Sequence, residues 1–190
     1  MTRVGDAGLT TETLTELMVA YQGGDAMAFE KLYAGLAGPV LGYLRSLTRD
    51  AGRAEDLLQE TFFHVHRARR TFDPTRSAKA WIFAIAHNVF LMSRRALSRR
   101  EKHEALAEDE LPEFPVPAEA EALASRDLVR RALARLPEKQ REALLLFHVQ
   151  GLSFEEVASV QRTTRMAARL RSHRAMAELR RLLAGERNRV

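Results

Sequence analysis

The stretch from Arg53 to Arg100 constrains the fold more than any other part of the chain, because two helical repeats flank one proline. Over residues 55–70, Leu57, Leu58, Thr61, Phe62 and Val65 recur at the offsets of a single helix face. Asp56, Gln59, Glu60 and Phe63 fall on the opposite face. An aromatic ring among carboxylates and an amide makes a better docking surface than a merely solvated one. Phe72-Asp73-Pro74 interrupts the pattern, since the residue before a proline is driven out of the helical region. The second repeat puts Trp81, Ile82, Ile85, Val89 and Met92 on one side and His87, Asn88, Arg94 and Arg95 on the other. It runs out into Arg94-Arg95 and Arg99-Arg100. The expectation is an acidic helix followed by a basic one, both tied to one core.

Glu55-Asp56-Leu57-Leu58-Gln59-Glu60-Thr61-Phe62, then Phe72-Asp73-Pro74, then Trp81-Ile82-Phe83-Ala84-Ile85-Ala86-His87-Asn88, resembles the second domain of the bacterial extracytoplasmic-function (ECF) sigma factors. These are small specificity subunits of RNA polymerase. The resemblance implies that Asp56, Gln59, Glu60 and Phe63 dock on the clamp helices of the largest polymerase subunit. It also implies that the second helix and the loop before it melt and read the minus-ten element. The Thr71–Lys79 loop with Asn88 would then capture a base unstacked from the strand, at a cost of a few kcal/mol recovered in the pocket. Trp81 would hold that loop in place, and Arg94, Arg95, Arg99 and Arg100 would hold phosphates. Met92 stands where relatives often carry an aspartate, which leaves the minus-ten preference open.

Ahead of this stretch, Thr10–Gln22 is a modest helix with Leu14, Leu17 and Met18 apolar. Gly23-Gly24 ends it, and Asp25 can cap the next helix. Residues 26–48 carry Phe29, Leu32, Tyr33, Leu36, Val40, Tyr43, Leu44 and Leu47 at helical spacing, a stripe that reads as core. Gly38 and Pro39 are expected to kink or restart that helix. Asp50 and Gly52 are expected to form a turn. Residues 10–100 thus make one all-α module.

Residues 101–120 change character. Between Glu108 and Pro117 stand three prolines and four carboxylates, which no helix interior tolerates. This is an acidic flexible linker. It is either a passive tether or, as the resemblance implies, a segment that threads polymerase toward the active-site cleft and RNA exit path.

The second module, 121–184, opens with helix-favouring residues up to Ala134 and restarts at Leu136-Pro137-Glu138, with Pro137 at a first helical position. Ala143-Leu144-Leu145-Leu146-Phe147 continues that helix and Gly151 stops it. Ser153 caps a short helix, and Glu156 three residues on completes a capping box. A basic helix follows over 164–183, so short helix, turn and basic helix make a helix-turn-helix pattern. Arg141-Glu142-Ala143 through Leu152-Ser153-Phe154-Glu155-Glu156-Val157-Ala158 is similar to the fourth domain of the ECF sigma factors, which reads the minus-thirty-five element in the major groove. The resemblance implies base or shape readout by Arg165 and Arg169 and backbone contact by Arg171 and Arg174. The turn between the two reading helices departs from the family. Arg162 stands where glycine's tolerance of positive φ is expected. Ala168 and Ser172 replace branched apolar residues, and Met166 and Leu170 fall on the DNA side. The helix is either rotated or packed closer on small residues, or its grip on the core is weaker.

The fold class is therefore all-α, two small helical domains joined by an acidic Pro-containing linker. The net charge of +5 is unevenly spread. Residues 1–100 hold 14 Lys/Arg against 10 Asp/Glu, residues 101–120 hold 1 against 7, and residues 121–190 hold 15 against 8. Basic modules suit a polyanion, nucleic acid first, and suit solubility equally well. The absence of cysteine excludes disulfides and thiolate metal sites. The six histidines are scattered, and His64 and His66, two apart, lie on different sides of a helix. Neither a phosphate loop nor a serine elbow is present. No cofactor or metal and no enzymatic activity are expected.

Met1–Asp6 lacks the apolar core of a signal peptide, and no apolar run approaches the roughly 20 residues needed to span a bilayer. A cytoplasmic protein without membrane insertion is expected. The resemblance implies as partners core RNA polymerase (the clamp helices, and the flap of the second-largest subunit), promoter DNA and an anti-sigma factor wedged between the modules. The alternatives are a sigma-like decoy that binds protein partners without promoter specificity, and a free-standing DNA-binding regulator.

Overall fold

The computed structural model describes residues 10–101 and 128–187, the side chains of 98–101, 186 and 187 excepted. Everything described is helix, turn or coil. The linker reading falls on residues outside that description, as do the side chains of Arg99 and Arg100.

Four helices build the first module: α1 (Thr11–Gln22), α2 (Ala26–Thr48), α3 (Ala51–Ala68) and α4 (Ala78–Glu101). Caps decide where they start. The Thr10 hydroxyl accepts from Thr13 N, and the Asp25 carboxylate accepts from Met27 N at 2.9 Å and Ala28 N at 3.2 Å. Gly24, at φ +108°, makes the reversal between α1 and α2 that a side chain would strain. α2 runs through Pro39 without restarting. Leu32, Leu36, Val40, Tyr43 and Leu44 are buried on both sides of the proline, and the core holds both halves in one helix. The expected turn at Asp50 and Gly52 is tighter than that. Arg49 adopts a left-handed φ of 60° and ends α2, Asp50 caps α3 through Arg53 N at 3.0 Å, and Gly52 already lies inside α3.

α3 buries Ala54, Leu57, Leu58, Thr61, Phe62 and Val65, as its periodicity requires. A short 3₁₀ turn (Arg69–Thr71) and a coil over 72–77 lead to α4. α4 is less one-sided than its sequence suggests. Ile82 and Val89 are buried as expected, but so are Phe83, Ala86, Phe90 and His87, while Met92 is exposed. The helix is wrapped because the second module covers the side assigned to solvent.

That module consists of α5 (residues 128–134), α6 (Glu138–Leu144), a π-helical turn over Leu145–Val149, α7 (Phe154–Val160) and α8 (Arg165–Arg187). Pro137 sits one position earlier than expected, as the residue before α6. Ser153 and Glu156 form the reciprocal capping box at α7, with Glu156 N to Ser153 Oγ at 3.3 Å and Ser153 N to Glu156 Oε2 at 2.7 Å. One buried cluster runs through both modules, from Leu14 and Met18 to Val157, Val160 and Ala168. A satellite cluster of Leu136, Leu144, Leu145, Ala175 and Leu182 ties α8 to α6.

Candidate polymerase and nucleic-acid interface

α3 has two separate faces. With Leu57, Leu58, Thr61, Phe62 and Val65 committed to the core, Asp56, Gln59, Glu60 and Phe63 are left together on the outside. Phe63 is 57% exposed. Its ring is covered on one side by the Arg67 guanidinium, 5.7 Å from the centroid, and His64 Nε2 stands 3.7 Å from Glu60 Oε1. An acidic rim around a half-open aromatic is the chemistry of an anchor residue in a protein interface.

The loop between α3 and α4 is built on Asp73, whose carboxylate accepts from Thr75 N at 2.9 Å and Thr75 Oγ1 at 2.7 Å. Those two bonds hold the Asp73 carboxyl below its usual range. Phe72 anchors the loop from beneath, buried against the edge of Trp81 with centroids 5.4 Å apart. Ser77 Oγ accepts from Ala80 N at 3.1 Å and starts α4. The exposed part of the loop is residues 73–76.

Of the α4 residues, Asn88 is half-buried and Arg94 and Arg95 are exposed. The second module already engages part of this face. Arg94 is paired with Glu138 of α6. Lys79 is half-buried, and burial lowers its ammonium pKa while Glu156 of α7 raises it. Beneath them lies a buried polar cluster that sequence reasoning missed. Glu142, on α6 and 3% exposed, accepts from His87 Nδ1 at 2.5 Å, from Gln161 Nε2 at 2.7 Å and from the Tyr43 hydroxyl. Burial alone would raise the Glu142 carboxyl, but the His87, Tyr43 and Gln161 bonds and the His87 charge outweigh it and hold it below the usual range. Tyr43 is pushed well up by burial and by the facing carboxylate, and so remains a donor. With the carboxylate as acceptor, Nδ1 of His87 carries a proton. The available signal was weak: Glu142 closes a polar run, 138–142, immediately before the apolar run that starts at Ala143.

α8 resolves the choice left open by its sequence. Ala168, Ser172 and Ala175 are fully buried, so the helix packs closely on small residues. Arg162 has φ 48°, the left-handed geometry expected at that turn. Arg169 and Arg174 point outward. Arg165 is outward too, paired with Glu155 at 2.8 Å, an exposed pair of the kind worth at most about 1 kcal/mol. Arg171 differs: it is half-buried, and its Nη1 donates to Gln161 Oε1 at 2.9 Å, which ties α8 to the Glu142 cluster. Close packing has a consequence for stability. Ala168→Leu should cost about 1–3 kcal/mol through overpacking, read as a lower urea midpoint with unchanged slope.

Among the described residues, no group of three His, Asp or Glu is placed to hold a metal ion, and no helix is long and apolar enough to cross a membrane.

The structure thus holds two helical modules, one with an outward acidic-aromatic face and one with an arginine-lined helix-turn-helix. Residues 32–100 match Sigma-70 region 2, and residues 126–179 match Sigma-70, region 4. The chain is 37% identical over 169 residues to the RNA polymerase sigma factor CarQ of Myxococcus xanthus, covering 87% of this chain and 95% of that one. It is 38% identical over 170 residues to the ECF RNA polymerase sigma factor ShbA of Streptomyces griseus, covering 84% and 89%. Among solved structures it is similar to the sigma factor RpoE in complex with the anti-sigma factor NepR from Bartonella quintana, with a TM-score of 0.72 at 25% identity over 82% of this chain and 96% of that one. It is also similar to CnrH in complex with the cytosolic domain of CnrY, with a TM-score of 0.67 at 26% identity over 93% and 99%. The chain belongs to the ECF subfamily of the sigma-70 family, the alternative sigma factors that direct RNA polymerase to promoters.

Proposed function

We propose that this sigma factor docks core polymerase through Asp56, Gln59, Glu60 and Phe63 and reads a two-part promoter with α4 and α8. The observation that carries the reading is the back-to-back arrangement of α3 and α4. α3 turns an unburied aromatic and three polar side chains outward, while its other face anchors the helix assigned to the minus-ten strand. The Asp73–Ser77 loop, anchored by Phe72 on Trp81, receives a flipped base. Lys79, Asn88, Arg94 and Arg95, with Arg99 and Arg100 further along the same helix, hold the strand around it.

α8 enters the major groove upstream with Arg165 and Arg169 toward the bases and Arg174 toward the backbone. Arg171 reaches phosphate only by releasing Gln161. The docking surface on the clamp helices, the contact of the second module with the flap, and the linker of 101–120 complete the polymerase interface. An anti-sigma factor is the partner that holds the protein inactive, by analogy with the two complexes above. The protein works in the cytoplasm, beside its polymerase, and performs no chemistry of its own.

In the free chain, α6 and α7 lie on α4, and Arg94 and Lys79 face Glu138 and Glu156. Reading the minus-ten strand therefore requires the modules to separate.

The test is run-off transcription with purified core polymerase over pooled genomic fragments. Discrete start sites preceded by two spaced motifs are expected; binding to core without start sites makes the protein a decoy. Arg165→Glu with Arg169→Glu should weaken holoenzyme binding to the upstream element by at least about tenfold, given about 1–3 kcal/mol for a base-reading arginine. An unchanged promoter titration removes both residues from the interface.

A further inference from the structure

We propose that Met166 and Leu170 read sequence, by packing on the C5-methyl groups of thymines in the upstream duplex. This rests on the reading above that α8 enters the major groove.

Met166 is 73% exposed and Leu170 47%. A lone exposed apolar side chain calls for no explanation. These two stand one turn apart in the first two turns of the second reading helix, where such helices meet base edges. At about 100° per residue, the buried line Ala168, Ser172, Ala175 fixes the opposite line as Met166, Leu170 and His173. Arg165 and Arg169 flank that line on one side and Arg174 on the other. Glu155 is the acidic group beside it, and it is already paired with Arg165. The surface is thus an apolar centre within a cationic rim.

The rim selects a polyanion. The centre selects the one apolar group that a base pair displays in the major groove, the thymine methyl. A charge-lined phosphate cradle alone would gain nothing from two large apolar side chains, and a longer polar side chain at either position would reach a donor or acceptor instead. The minus-thirty-five element is therefore expected to place thymines, on either strand, under α8. The Met166 side chain, unbranched and adaptable, suits a contact that tolerates small shifts in register.

The experiment replaces thymine by deoxyuridine, one position at a time, in the upstream element of a promoter selected by the holoenzyme. Pairing is preserved and the methyl alone is lost. For the wild-type protein, affinity should fall about fourfold at one or two positions, the equivalent of one methyl-sized group no longer buried. Met166→Ala with Leu170→Ala should bind both duplexes equally while keeping its affinity for core polymerase. Both residues are exposed, so the variant keeps the fold; the wild-type arm needs no substitution at all.

Indifference of the wild-type protein to every deoxyuridine overturns the proposal, as does a double variant that keeps the sensitivity. If the double variant instead loses an anti-sigma or flap contact, the face belongs to a protein partner. Failure of the holoenzyme to select any duplex is a distinct result: it overturns the promoter reading on which this rests.

Discussion

Holoenzyme assembly should fail when Asp56→Arg and Glu60→Arg are combined. The two carboxylates lie four residues apart on the exposed face of α3, on either side of Gln59, with Glu60 one turn and Asp56 two turns from Phe63. Reversing both turns an acidic rim basic without touching the buried face. Exposed substitutions of this kind change stability by about 0.5 kcal/mol or less, so the melting temperature should stay near wild type. Juxtaposing like charges across a docked surface costs several kcal/mol, which predicts a loss of affinity for core of more than about a hundredfold.

The measurement is a fluorescence titration of core polymerase with labelled protein, with promoter DNA absent, so that α4 and α8 play no part. Phe63→Ala should give a smaller loss, about tenfold or more, because an aromatic anchor acts through packing and its removal leaves the charges in place. Retained affinity in the double variant would take α3 out of the docking surface, whatever its relatives do.

Local signals in this chain were legible because their physics is local. The caps at Asp25 and Ser153 follow from the preference of a short side-chain acceptor for a helix start, and the structure uses both. The two faces of α3 follow from a clean periodicity. The left-handed Arg162 follows from a turn that a glycine would otherwise fill. The restart expected at Pro39 did not occur because a helix-breaking residue is a local rule, and burial on both sides of it is a tertiary fact.

His87 misled for the same reason. The pattern of α4 was sorted into two sides, but α6 and α7, over fifty residues further on, cover the side taken as solvent. The Glu142 cluster was beyond sequence reasoning in a stronger sense. Tyr43, His87 and Glu142 come from three helices and Gln161 from the turn after α7, and nothing at one position announces the others.

Removing the Glu142 carboxylate should shift the molecule toward an open form. Glu142→Ala leaves the Tyr43 hydroxyl, His87 Nδ1 and the Gln161 amide without their shared acceptor in a buried site. Breaking a buried pair by deleting one partner costs roughly 3–5 kcal/mol. Tyr43 and His87 belong to the first module and Glu142 to the second, so much of that loss falls on the contact between them. What then holds the modules is the apolar cluster that runs through both, since the exposed Arg94–Glu138 pair adds little.

The chain has no cysteine, so Glu30→Cys with Arg180→Cys, both at exposed positions, gives two clean spin-label sites. Their distance distribution should lengthen and broaden in Glu142→Ala at neutral pH. Acid should mimic the substitution. Glu142 has a lowered pKa in the folded chain, so its contribution is complete above the ordinary glutamate range and is lost as pH falls through the lowered value. Glu142→Gln should fall between, since an amide oxygen can still accept from Tyr43 but carries no charge.

Opening also uncovers Lys79 and Arg94, so Glu142→Ala should bind single-stranded minus-ten DNA more tightly than wild type in the absence of polymerase. A lower melting temperature with an unchanged label distance would make Glu142 an ordinary core residue. A longer distance with weaker DNA binding would mean that the closed form is the one that reads.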